Sequence, residues 1–120
     1  MVEAIIGYRM WRLKPDDGTV WLQSIYVDSC LWPQLDPLRA ECRCGTPGLA
    51  HTCGIYAWEV PLRDPYPGIA VGEVALWGEV HTHTLGYRAE FARPVSINGA
   101  PGLLSRVAAY QYDIPTVKRA

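Results

Sequence analysis

Much of what narrows this sequence is missing from it. Eleven Lys and Arg against twelve Asp and Glu leave a formal charge of −1. There is no broad cationic field of the kind that drives sequence-independent nucleic-acid binding. No run of about 18 apolar residues is present to span a bilayer. The start, Met1 to Leu13, lacks a basic stretch, a long apolar stretch and a small-residue cleavage site. No secretory signal is therefore expected, and the chain reads as cytoplasmic, where thiols stay reduced. Also absent are G-x-G-x-x-G, G-x4-G-K-[ST], G-x-S-x-G and H-E-x-x-H. Dinucleotide enzymes, P-loop NTPases, α/β-hydrolases and zincin proteases are accordingly unsupported. No repeat, low-complexity segment or linker interrupts the 120 residues, a single domain's length.

Phenylalanine is nearly absent, one residue against five Trp and seven Tyr. Trp and Tyr join a large apolar body to a polar handle, so they suit binding surfaces as well as cores. Arg9, Arg12, Arg88 and Arg93 stand in predicted strands beside Tyr8, Trp11, Tyr87 and Phe91. Arg beside an exposed ring is the chemistry of base stacking and phosphate contact, and equally of cation-π packing inside a small barrel. With the net charge near zero, packing is favoured and nucleic acid or a nucleotide is the alternative. The residues expected to present a ligand-binding surface are Arg9, Trp11, Trp77, Tyr87, Arg88 and Arg93.

Alternation and turn residues predict a mainly β (α+β) fold. Ile5 to Leu13 reads as a strand, and Asp17-Gly18 as a tight turn into a second strand over 19–27. Cys30 to Arg39 carries two prolines and is expected to be irregular. Gly54 to Val60 reads as a third strand and Ile69 to Thr84 as the longest, with Gly72 and Gly78 marking a bulge or bend. Tyr87 to Ile97 is its expected hairpin partner, and Asn98-Gly99 a further turn. Leu104, Val107, Ala108 and Gln111 fall at helical spacing, which predicts a short C-terminal helix within 101–113. The architecture expected is a small, strongly bent antiparallel sheet or partly open barrel with that helix, able to pair with a second copy through an exposed sheet edge.

Three of the four cysteines crowd into one stretch, Cys42-x-Cys44-x6-His51-x-Cys53. Four soft or borderline ligands are the number that a closed tetrahedral zinc site requires, although the spacing departs from the usual C-x2-C knuckle. The competing readings are buried small hydrophobes at Cys53 and Cys30 with surface thiols at Cys42 and Cys44, or a reactive thiol beside Arg43 or His51. Glu79, His81 and His83 alternate along one strand. An H-x-H pair with a carboxylate could ligate a catalytic metal, but a solvated strand face is the commoner outcome. The balance is against catalysis.

Gly7-Tyr8-Arg9-Met10-Trp11-Arg12, Cys53-Gly54-Ile55-Tyr56-Ala57, and the stretch from Trp77-Gly78-Glu79-Val80 to Gly86-Tyr87-Arg88-Ala89-Glu90-Phe91-Ala92-Arg93-Pro94 together resemble a pattern found in small uncharacterised proteins of actinobacteria and their phages. The resemblance implies a shared fold and no particular activity. A phage origin would point to a host factor as target. Where the group tends to have C-x-C-G ahead of I-Y-A, this chain has His51-Thr52-Cys53-Gly54. Exchange of Cys for His keeps a metal ligand, which fits zinc better than a disulfide. The expectation is a non-catalytic, zinc-stabilised binding module for a protein or small-molecule ligand.

Overall fold

A computed structural model describes residues 4–25, 31–40, 54–62, 69–98, 103–114 and 116–117. The first hairpin forms where the sequence places it. β1 (Ile5–Asp16) and β2 (Thr19–Ser24) pair from Trp11↔Ser24 to Asp16↔Thr19. Asp17 and Gly18 both take positive φ, 48° and 84°. Two successive left-handed residues make the turn whose twist matches that of the flanking strands.

After them come β3 (Leu38–Arg39), β4 (Ile55–Trp58), β5 (Ile69–Thr82), β6 (Gly86–Pro94), β7 (Ile97–Asn98), α1 (Leu103–Gln111) and β8 (Thr116–Val117). The segment of 31–40 is irregular, as its prolines predict, apart from the Gln23↔Leu31 bridge and the two residues of β3. Asn98, expected in a turn, lies in β7; Gly99 is outside the described residues.

β1 pairs with β5 from Ile5↔Leu76 to Arg12↔Ile69, β5 with β6, and β6 with β4. β4 then returns to β1 at Tyr8↔Trp58. These four strands form a closed antiparallel barrel, with β2 extending β1, β3 pairing β6, and β7 and β8 extending β5. The mainly β, strongly bent sheet with a C-terminal helix expected from the sequence is thus present, its sheet closed into a barrel by a single bridge.

β5 can serve two directions because it bends. Trp77 pairs with Phe91 and Val80 with Ala89, so Gly78 and Glu79 oppose Glu90 alone. Gly78 takes φ 77°, a conformation that costs a side-chain-bearing residue. The Glu79 amide donates to Glu90 Oε1 at 3.1 Å beside it. The extra residue turns the strand, as bulges do.

Along β1 the buried positions are Gly7, Trp11 and Leu13, with Arg9 half-buried among them. Trp11 meets Trp32 edge to face, ring centroids 5.5 Å apart at 89°. Val74, Leu76, Ala89, Ala92 and Leu22 complete the middle of the core.

The helix forms within the expected span but shows a different face. Ser105, Ala108, Ala109 and Tyr112 are buried, while Leu104 is exposed. Gln111 and Tyr112 reach the edge of β2. The Val20 amide donates to Gln111 Oε1 at 2.8 Å, the Leu22 amide to Tyr112 Oη at 2.9 Å, and Gln111 Nε2 to the Gly18 carbonyl at 3.1 Å. An edge whose amides are taken by side chains is closed to strand addition at those positions. Among the described residues, no helix is long and apolar enough to cross a membrane.

Candidate functional site

β4 alternates strictly: Ile55 and Ala57 are buried, Tyr56 and Trp58 exposed. Its short length leaves room beside it, because β1 touches β4 at one pair only. A groove of about 940 Å³ runs there. It is bounded by Arg9 and Met10 of β1, the end of β2, Trp32, residues 38–40, the whole of β4, and the β5–β6 turn with Gly86 and Tyr87.

Gly86 lets the turn approach β4 closely. A Cβ on it would lie 2.1 Å from the Ala57 carbonyl oxygen and 3.0 Å from Trp58 Cα. No side chain fits between these backbones. Leu85, which lines the groove, is exposed, as is Val60 next to Glu59, whose amide donates to the Leu85 carbonyl at 3.1 Å. Tyr56, Trp58 and Leu85 give the groove an exposed apolar component.

Arg9 ties one wall together. Its guanidinium donates to the Tyr56 carbonyl and, at 3.3 Å, to Ser24 Oγ. It also stands over the Trp32 ring, 5.0 Å from the centroid, and Trp32 Nε1 donates to the same Ser24 Oγ at 3.0 Å. One cation thus connects β1, β2, β4 and the proline-bearing segment. A guanidinium over an indole face gains from the ring quadrupole while its N–H groups, directed outward in the guanidinium's own plane, can still donate. Arg39, which also lines the groove, is exposed and lies 5.8 Å from the Phe91 centroid.

The residues expected to carry a surface divide. Arg9 and Tyr87 line the groove. Trp11 is fully enclosed and supports Trp32 from within the core. Trp77 stacks on Phe91, centroids 5.8 Å apart at 15°, and is not among the groove-lining residues. Arg88 is buried, in register with Tyr56 on one side and His81 on the other. Arg93 is half-buried opposite Ala75.

Cys42, Cys44, His51 and Cys53, and Cys30 with them, lie outside the described residues. His81 Nε2 is hydrogen-bonded to Glu79 Oε2 at 2.6 Å, whereas His83 lines the groove. Among the described residues, no three His, Cys, Asp or Glu side chains gather as a metal site would require.

Sequence reasoning missed Ser24, Trp32, Arg39, Tyr56 and Trp58 as groove residues. Two signals were available. Alternation in Ile55-Tyr56-Ala57-Trp58 leaves both rings on the side away from the aliphatic residues. Trp32 is a large ring in an otherwise loop-like segment, and a ring there needs something to pack against.

Comparison with protein-family models, characterised proteins and solved structures finds no match. The resemblance to the actinobacterial and phage group therefore stands on the quoted motifs alone.

Proposed function

We propose that this protein is a non-catalytic binding module that takes a protein segment or small molecule into the groove beside β4. What carries the reading is the groove itself: about 940 Å³ of concave surface with Arg9, Tyr56, Trp58 and Tyr87 on its walls. Ligand sites in proteins are typically clefts of roughly 300–1,000 Å³ with apolar and aromatic walls and a few placed polar groups. Arg9 is such a group, already held by Ser24, Tyr56 and Trp32. A preset side chain loses little freedom when a ligand arrives.

Nucleotide or nucleic-acid binding is the second reading, favoured by Arg9 and Arg39 lining the same groove as exposed rings. The formal charge of −1 opposes it for a long polyanion. The setting proposed is the cytoplasm, and a phage origin would direct the module at a host factor. A structural zinc ion on Cys42, Cys44, His51 and Cys53 belongs to the same proposal, on the chemistry of that donor set alone.

The test is a native mass spectrum of protein purified from cells, repeated for Trp58→Ala and Tyr56→Ala. Both side chains are exposed, so neither truncation should unfold the chain. A co-purified species lost from both variants supports the reading. A species retained unchanged in both, or none in any form of the protein, counts against it.

A further inference from the structure

The groove separates charge by sign. Two cations, Arg9 and Arg39, line it, and among its described lining residues there is neither Asp nor Glu. Such segregation is local, because acidic residues outnumber basic ones over the whole chain by twelve to eleven. Arg9, half-buried beside apolar walls, acts in a lower dielectric than a cation on an open surface, so its attraction for an anion is stronger there.

The donors differ in how they are held. Arg9 is fixed against Ser24, Tyr56 and Trp32. Arg39 is exposed and makes no hydrogen bond or ion pair within the described residues, resting only on the Phe91 ring. The Tyr87 phenol is likewise unengaged within the described residues and half-buried in the groove. A planar guanidinium on a flexible stem matches the geometry of a carboxylate or phosphate. Tyr56 and Trp58, both exposed, are lining residues of the same groove.

We propose that the groove takes a small organic anion built on a planar ring, the ring against Tyr56 and Trp58 and the carboxylate or phosphate toward Arg39 and Arg9. The proposal rests on the reading of the groove as a binding site and adds the chemistry of its ligand. Aromatic carboxylates and mononucleotides share that chemistry. A polyanion does not fit as well, since it would need cations along an extended track and the chain's balance supplies none.

The experiment is calorimetric titration of the full chain with two matched pairs: indole-3-acetate against indole-3-acetamide, and AMP against adenosine. Each pair keeps the ring and changes the charge. The expected result is that the anion binds about tenfold or more tightly than its neutral partner in at least one pair, since a hydrogen bond to a charged group is worth that much. Which pair shows it identifies the source class. Arg39→Gln should remove the difference and Arg39→Lys restore part of it. Arg106→Gln, which removes the same charge from the exposed face of α1, should leave it intact.

Equal affinity for anion and neutral partner in both pairs overturns the anion assignment while leaving the groove a binding site. Preference for the anion that survives Arg39→Gln and falls with Arg106→Gln also overturns it, since the whole-chain charge would then be responsible. No binding of any of the probes overturns the proposal, and the groove reading is then decided separately by the co-purified species.

Discussion

Tyr112 and Leu22, 90 positions apart in sequence, meet at the edge of β2, where the Leu22 amide donates to the Tyr112 phenol oxygen at 2.9 Å. The same hydroxyl donates to the Trp32 carbonyl at 2.7 Å, and the Trp32 amide donates to the Leu22 carbonyl at 2.9 Å. A closed set of hydrogen bonds therefore joins the helix, the outer strand and the segment that presents Trp32 to the groove. Tyr112 is almost fully buried.

Tyr112→Phe removes one oxygen and leaves a buried amide and a buried carbonyl without their partner. That should destabilise the chain by about 1–3 kcal/mol, read as a lower urea midpoint with an unchanged slope. The same residue gives an alkaline signature. Burial pushes the phenol up from 10.0 to about 12, against the opposing pull of the Leu22 amide. The folded state thus holds the proton more tightly than the unfolded state. Its contribution is fully present below about pH 10 and is lost as pH rises through about 12, at no more than about 1.4 kcal/mol per pH unit. Wild type should therefore lose stability relative to Tyr112→Phe over that window. Parallel alkaline curves for the two proteins would contradict the assignment.

The helix closes with a second feature that can be tested. Asp113 takes φ 53°, its amide donates to the Tyr110 carbonyl at 3.2 Å, and the Ile114 amide donates to the Ala109 carbonyl at 2.9 Å. This pair of bonds is the Schellman motif, whose left-handed position is usually glycine. Asp113→Gly should raise stability by a few tenths to about 1 kcal/mol, and Asp113→Val should lower it. Thermal melts of the two variants check the order.

The features legible in the sequence were those set by neighbours in the chain. Asp17-Gly18 fixed one hairpin, Gly78 marked the bulge, and the prolines of 31–40 kept that segment largely irregular. What could not be read was set by partners far along the chain. Ring closure hangs on Tyr8 meeting Trp58, and β3 is two residues that exist only because β6 is beside them. Trp11 and Arg9, two residues apart in β1, share one face of the strand, and from sequence alone both are expected at a ligand-binding surface. Only Trp32, arriving from another segment, encloses the first and leaves the second at the groove. The helix was found by spacing but turned differently, because Ser105, Ala108 and Ala109 are small enough for close approach and Tyr112 supplies the anchor.

The zinc proposal is independent of all of these contacts. Protein made in zinc-replete cells should carry one zinc per chain, and Cys42→Ser combined with Cys44→Ser should release it and lower the melting temperature. Substoichiometric zinc in the wild type overturns the proposal. The hairpin, the barrel and the groove do not depend on the outcome.

Ser24 tests whether the Arg9 wall is held as a unit. Ser24 is buried, and its Oγ accepts from Trp32 Nε1 at 3.0 Å and from Arg9 Nη2 at 3.3 Å. Ser24→Ala leaves the indole N–H of a fully buried ring with no acceptor there, which should cost about 1–3 kcal/mol. The Arg9 guanidinium still donates to the Tyr56 carbonyl and still lies over the Trp32 ring, so the wall should loosen rather than collapse. Ser24→Cys, which keeps a weak acceptor at the same place, should fall between Ser and Ala. Denaturant melts give the order of the three stabilities. Equal stability of Ser24→Ala and wild type would mean that the hydroxyl is incidental and that ring packing alone positions Arg9.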